Sequence, residues 1–232
     1  MKLPAYPKYK SSGVEWLGDV PKGWEVKRLK YSASINDEAL PETTPPEFEL
    51  NYVDIGNVDS VEGIIAQEQL TFDTAPSRAR RIARDGDTIV STVRTYLRAI
   101  APIRKSSGNL IVSTGFAVIR PDKVHPHFLS YALRESSFVE TVVARSVGVS
   151  YPAVNASDVG TIPIPLPKPD EQRAIANFLD RETARLDTLV GKKRELIEKL
   201  KEKRTVLISR TVTRGLKPTR KLKPSGIGSV SF

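Results

Sequence analysis

The chain has 232 residues, 39% of them hydrophobic and 27% charged, no cysteine, and a formal net charge of +9. This is the composition of a folded protein, not a disordered one, and the lack of cysteine excludes disulfides, thiolate metal sites and a cysteine nucleophile. No apolar run approaches the roughly eighteen residues that span a bilayer, and the N-terminus lacks a hydrophobic signal core, so a cytoplasmic protein with no membrane partner is expected.

The charge is unevenly laid out. Residues 1–170 carry 20 Lys/Arg and 20 Asp/Glu, whereas residues 171–232 carry 16 and 7, so the whole excess lies on the C-terminal segment. Between Ser32 and Ser77 there are ten acids and no Lys or Arg; between Arg78 and Arg120 there are nine basic residues against Asp85 and Asp87. A basic stretch in a neutral domain suggests a surface that faces a polyanion, with a solvated mixed-charge exterior as the plainer alternative.

In chain order, Trp16 and Trp24 flank a Gly/Pro turn and read as packing residues. "ELNYVDIGNV" (49–58) reads as a strand followed by a turn, and "TIVST" (88–92), after the turn Asp85-Gly86-Asp87, as a second strand. "LRAIAPI" (97–103) and "TGFAVIRP" (114–121) read as further strands joined by a loop at 106–109. "PHFLSYALRESSFVETVVAR" (126–145) has helical apolar spacing with an interruption near Ser136-Ser137. "IPIPLPKPD" (162–170) has proline at every second position; it reads as a stiff, polyproline-like boundary, because proline lacks the donor that a sheet needs. A long helix follows, with Asp170 as its N-cap and Gly215 just past its end. Heptad positions Ile175, Leu179, Leu186, Leu189, Leu196, Leu200 and Leu207 form an apolar seam, interrupted by Glu182, Lys193 and Lys203, and predict a coiled coil. The expected fold is therefore an α+β domain, a mixed twisted sheet with short helices, followed by one long coiled-coil-forming helix.

That C-terminal segment resembles the conserved spacer helix of the specificity subunit of type I restriction–modification systems. The resemblance rests on the alternate prolines, Glu171-Gln172-Arg173, Phe178-Leu179-Asp180, Leu196-Ile197-Glu198-Lys199-Leu200 and Val212-Thr213-Arg214-Gly215. "SSGVEWLGDVPKGWEVKRLK" (11–30) is similar to that family's opening of a target-recognition domain, and "GDTIVSTVRTYLRAIAP", "STGFAVIRP" and "HPHFLSYAL" to its interior. The resemblance implies a target-recognition domain over 1–168, a spacer helix over 169–216, and a tail over 217–232. In that tail "KPSGI" restates the opening signature, as the stub of a second repeat. Full subunits of this family hold two such halves with their helices antiparallel. One half is therefore expected to form a twofold homodimer through its seam, with double-stranded DNA, methyltransferase subunits and a restriction subunit as partners.

The residues themselves offer no catalytic constellation: no Walker loop, no nicotinamide fingerprint and no methyltransferase motif. His125 and His127 read as turn residues without further metal ligands beside them. No cofactor or metal is expected, and the resemblance likewise assigns catalysis to partner subunits. For DNA contact the candidates are Arg78, Arg80, Arg81 and Arg84 as a backbone clamp or an exposed basic loop; Arg94, Tyr96 and Arg98 on one face of a strand or hairpin; Lys105; and Arg145, Ser146, Ser150 and Tyr151 in a groove-entering loop. Asn57 is disfavoured by the acids around it. The basic runs 192–194 and 201–204 read as partner-docking surface or solvated faces of the rod. A coiled-coil scaffold without sequence-specific DNA binding is the alternative function, and salt-dependent, sequence-selective DNA binding separates the two.

Overall fold

The computed structural model describes residues 5–106 and 108–216. The chain divides into two units, one ending at Phe178 and one beginning at Leu179. Strands β1 (Tyr9–Ser11), β2 (Asp19–Pro21), β3 (Glu25–Arg28), β4 (Ala33–Ile35), β5 (Glu49–Val53), β6 (Val58–Asp59), β7 (Gly63–Ile64), β8 (Glu68–Thr71), β9 (Ala79–Ile82), β10 (Thr88–Ser91), β11 (Ile100–Pro102), β12 (Leu110–Ser113) and β13 (Phe116–Pro121) come first. Helices α1 (Pro126–Leu133), α2 (Ser136–Ala144) and α3 (Ala156–Val159), strand β14 (Pro163–Leu166) and the long helix α4 (Pro169–Arg214) complete the order. The fold is α+β, as expected.

Two four-stranded sheets build the first unit. One runs β11-β10-β13-β4, antiparallel throughout; the other runs β8-β5-β12-β9, with β5 and β12 parallel. Strand alternation sorts their side chains into layers. In β13, Ala117 and Ile119 join Leu129, Leu133, Phe138 and Val142 of α1 and α2 in one buried cluster. Phe116 and Val118, on the opposite face, meet Val53, Leu110 and Val112 of the second sheet. Ile111 of β12 points the other way again, to Leu50, Tyr52 and Ala79. With Val90 and Ile89 of β10 likewise divided between the first two clusters, both faces of β10, β12 and β13 are covered, which is why TIVS, LIVS and FAVI are buried at every position and show no alternation.

The helices have local causes. Pro126 stands at the first turn of α1, where its missing N–H is no loss. Glu135 breaks the helical run: its backbone is extended, and its carboxylate accepts from the N–H groups of Ser137 and Phe138, so it caps α2. The break is one residue earlier than the serine pair suggested. α4 begins at Pro169, with Asp170 and Glu171 inside its first turn, so Asp170 is a helical residue and not the cap. α4 ends as expected. Gly215 adopts φ +71, and its N–H donates to the Thr211 carbonyl at 2.9 Å, a left-handed C-terminal cap.

Three sequence expectations are corrected. The proline-alternating segment is not a free polyproline linker. It is β14, paired antiparallel with β3 in the register Ile164↔Lys27 and Leu166↔Glu25. Leu29 N–H donates to the Ile162 carbonyl, so the main-chain groups of Ile162 and Ile164 face β3, and Pro163 and Pro165 turn their missing donors to the open edge. Residues 110–113, which the sequence reading left without an element, form β12, the centre of the second sheet. Residues 79–82, read as loop, form β9 at its edge.

The start of α4 belongs to the first unit. Gln172 is buried; its amide NH₂ donates to the Pro167 carbonyl at 2.9 Å and its amide oxygen accepts from His125 N–H at 2.8 Å. Ala176 is fully buried in the helix–sheet cluster and Ile175 packs against it. Among the described residues, no helix is long and apolar enough to cross a membrane, and no group of three or more His, Cys, Asp or Glu is placed to hold a metal ion.

Candidate nucleic-acid interface

Two loops carry the strongest candidate surface. The first leaves β10. Thr92 anchors it, its N–H and hydroxyl both donating to the Gly115 carbonyl at 2.8 and 2.9 Å. The chain then makes a 3₁₀ turn at Thr95–Leu97, flanked by Arg94 and Arg98, each with φ +53. Arg94, Tyr96 and Arg98 therefore do not alternate along a strand, as the sequence suggested. Two left-handed arginines bracket a tight turn, a conformation that non-glycine residues enter rarely and at a cost.

The second loop joins α2 to α3. Val147 and Ala153 exchange backbone hydrogen bonds at 2.8 and 3.0 Å and close it. Gly148 has φ +115, and a Cβ there would lie 3.3 Å from the Tyr151 carbonyl oxygen, so glycine is required at the tip. The two loops are stitched together. Val154 N–H donates to the Thr92 carbonyl, Val93 bridges Ala153, and the Thr95 and Ser146 hydroxyls meet at 2.7 Å. Thr95 is buried, and Ser146 also donates to the Val142 carbonyl. Ser146 is thus an anchor between the loops.

The outward face of this pair holds Arg94, Tyr96, Ser150 and Tyr151. The Arg94 guanidinium lies 4.9 Å from the centre of the Tyr151 ring, a cation–π stack. Arg94 is exposed, and among the described residues no carboxylate pairs with it. Val149 is fully exposed beside them and Tyr151 is 62% exposed.

The remaining basic candidates are held elsewhere. Arg78 pairs with Asp54 at 2.8 Å and donates to the Tyr52 hydroxyl at 3.1 Å. Burial alone would raise the Asp54 pKa, but hydrogen bonds from Arg78 and the Ile55 N–H outweigh it and hold this carboxyl below its usual value. The Tyr52 hydroxyl is pushed up, first by burial. Arg80 stacks on Phe72 at 4.7 Å. Arg81 lies half-buried in β9. Arg84 pairs with Glu38 at 2.6 Å and Arg98 with Glu140 at 2.6 Å. Arg145 donates to the Asp158 carbonyl and the Thr161 hydroxyl at 3.0 and 2.7 Å, bracing α3. Lys105 is exposed in the loop before β12. Of the twelve candidates, the two loops bring Arg94, Tyr96, Ser146, Ser150 and Tyr151 together, with Arg98 at the far end of the same turn. Thr95 and Val149 were not foreseen. Threonine after an arginine carries no signal of its own, whereas a Val-Gly-Val tip between serines is a legible one.

The second unit presents the expected stripe from Leu186 onward; of the other two seam candidates, Leu179 is half-buried and Ile175 packs on the core of the first unit. Leu186, Leu189, Leu196, Leu200 and Leu207 are all about half exposed or more, as are Val190, Ile197, Val206 and Ile208. Salt bridges Glu195–Lys199 and Glu198–Lys201 line the helix.

Residues 21–199 match the family described as the type I restriction modification DNA specificity domain. The type I restriction enzyme MjaIX specificity subunit of Methanocaldococcus jannaschii is 27% identical over 194 residues, 79% of this chain and 43% of the relative. The MjaVIII specificity subunit of the same organism is 26% identical, over 84% of this chain and 47% of the relative. Among solved structures, the HsdS subunit from Thermoanaerobacter tengcongensis is 31% identical with a TM-score of 0.65, covering 88% of this chain and 52% of that one. A chain from a structure described as showing complex assembly and conformational transition of the type I R-M system is 31% identical with a TM-score of 0.69, over 88% and 53%. The chain belongs to the type I restriction–modification DNA specificity family, and it spans about half the length of the relatives it matches. The expected tail signature "KPSGI" lies outside the described residues.

Proposed function

We propose that residues 1–168 form a non-catalytic, sequence-specific reader of double-stranded DNA, that residues 169–216 form the spacer helix, and that 217–232 correspond to the start of a second repeat. The observation that carries this reading is the stitched loop pair, which presents Arg94, in cation–π contact with Tyr151 and without a carboxylate partner among the described residues, beside Tyr96 and Ser150 in a domain of a DNA specificity family. Arginine reads guanine through O6 and N7 in the major groove, and the contact with the Tyr151 ring steadies this one. The clamp residues Arg78, Arg80, Arg81, Arg84, Lys105 and Arg145 take supporting roles at the phosphates, and those already ion-paired must exchange a carboxylate for a phosphate to do so.

In this reading the exposed stripe of α4, from Leu186 through Leu207, pairs two copies antiparallel about a twofold axis, with half-buried Leu179 at its margin. Two identical readers then meet an inverted, bipartite site with an uncontacted gap. Adenine methylation and cleavage are carried out by methyltransferase and restriction subunits in the cytoplasm. Titration of labelled duplexes at several salt concentrations tests the reading. A steep loss of affinity with salt together with strong preference for some duplexes supports it; weak, sequence-blind binding selects the scaffold function, for which the helix stripe alone is needed.

A further inference from the structure

Beneath the Arg98 end of the reading turn lies a recess of about 220 Å³ lined by Ser60, Arg98, Ile100, Arg134, Ser136, Val139 and Glu140. Two arginines and two serines are among the residues that line it. Arg134 is half-buried at the end of α1, and its guanidinium has no hydrogen-bond or ion-pair partner among the described residues. The Ser60 and Ser136 hydroxyls are also without partners among them. Arg98 is held by Glu140 alone, in a pair whose two side chains are 51% and 56% exposed. A partly desolvated arginine without an anion, beside a second one with a replaceable partner, is an arrangement that an oxyanion completes.

We infer that this recess is a phosphate pocket that takes one backbone phosphate of duplex DNA, held by Arg134, Arg98, Ser60 and Ser136. The inference rests on the DNA-reading function proposed above. The first N–H groups of α2 are already capped by Glu135, so the side chains, not the helix terminus, hold the anion. Glu140 occupies Arg98 when DNA is absent and is repelled when the phosphate enters. Because Arg94 and Arg98 bracket one three-residue turn, a phosphate fixed on Arg98 sets the height of Arg94 and Tyr96 over the base edges. The pocket therefore positions; it does not read sequence.

The test measures binding of a selected duplex and an unrelated duplex over a salt series, for the wild type, Arg134→Gln and Glu140→Gln. Arg134→Gln is expected to weaken both duplexes by the same factor, about three- to tenfold, to lower the salt slope by about one, and to leave their ratio unchanged. Glu140→Gln is expected to tighten both. Unchanged affinity and slope for Arg134→Gln in a protein that binds its selected duplex normally overturns the pocket alone, as does a changed ratio between duplexes. Wild type without duplex selectivity overturns the reading function and the pocket with it. Calorimetry with inorganic phosphate separates the sources: phosphate binding lost in Arg134→Gln while DNA binding is untouched assigns the pocket to a free anion and overturns the DNA assignment.

Discussion

Asp87, just before β10, and Arg120 of β13 form a two-point ion pair: Arg120 Nε and Nη2 donate to the two carboxylate oxygens at 3.0 and 2.9 Å, and the Asp87 side chain is only 2% exposed. Asp87 also accepts from the Arg84 N–H, and Arg120 reaches Glu38 at 2.9 Å. The hydrogen bonds that Arg120 donates to Asp87 are the main reason that its pKa is raised. Glu38 of the acidic segment thus holds two members of the basic stretch, Arg120 and, at 2.6 Å, Arg84.

Removing the carboxylate leaves a half-buried guanidinium short of its main partner. Asp87→Ala is expected to destabilise the first unit by about 3 kcal/mol, read as a lower urea midpoint with unchanged slope. A shift within error of the wild type would show that Glu38 alone satisfies Arg120.

The Asp54–Arg78 pair gives a pH signature. The folded pKa of Asp54 is lowered, so the pair's contribution is present above the unfolded carboxylate value and is lost as pH falls through the lower folded one. The stability difference between the wild type and Arg78→Gln is therefore expected at pH 7 and should shrink below about pH 4. Urea unfolding at both pH values checks this; a difference independent of pH would place the effect of Arg78 in packing.

The loop geometry makes Gly148 a sensitive position. Gly148→Ala forces an L-residue to φ +115 against the Tyr151 carbonyl, which is expected to disorder the tip and weaken sequence-selective binding while leaving the thermal midpoint within a few degrees. Loop backbone resonances unchanged by the substitution, with selectivity intact, would contradict the role given to this tip.

The helix seam is tested by mass. Leu196→Asp with Leu200→Asp places two carboxylates on the exposed stripe; the wild type is expected to sediment as a dimer and the variant as a monomer. An unaltered mass would locate the contact elsewhere.

The long helix and its stripe were legible in the sequence, because a seven-residue repeat and a glycine stop are local signals. The sheet interior was partly legible: FAVI and TIVS announced strands, but Leu110–Ser113 hid because its short apolar run is pressed between the turn formers Ser-Gly-Asn before it and Ser-Thr-Gly after it. The prolines of β14 misled because the rule against proline in sheets holds for paired edges, and here they face the open one. The candidate site was legible as two separate segments, 91–98 and 144–155. Their union was not, because it depends on Thr95 meeting Ser146 and Val93 meeting Ala153 across about fifty residues of chain. The ion pairs of Arg78, Arg84 and Arg98 were hidden for the same reason: each partner is distant in sequence.

The most direct measurement is selection of bound duplexes from a random pool by the wild type and by Arg94→Ala. The wild type is expected to enrich a fixed set of sequences, and the variant to lose preference at one base pair, worth about 1–3 kcal/mol of discrimination, while retaining the rest. The same enriched set from both proteins, with equal affinities, would contradict the assignment of the stacked arginine and its loop pair as the reading surface.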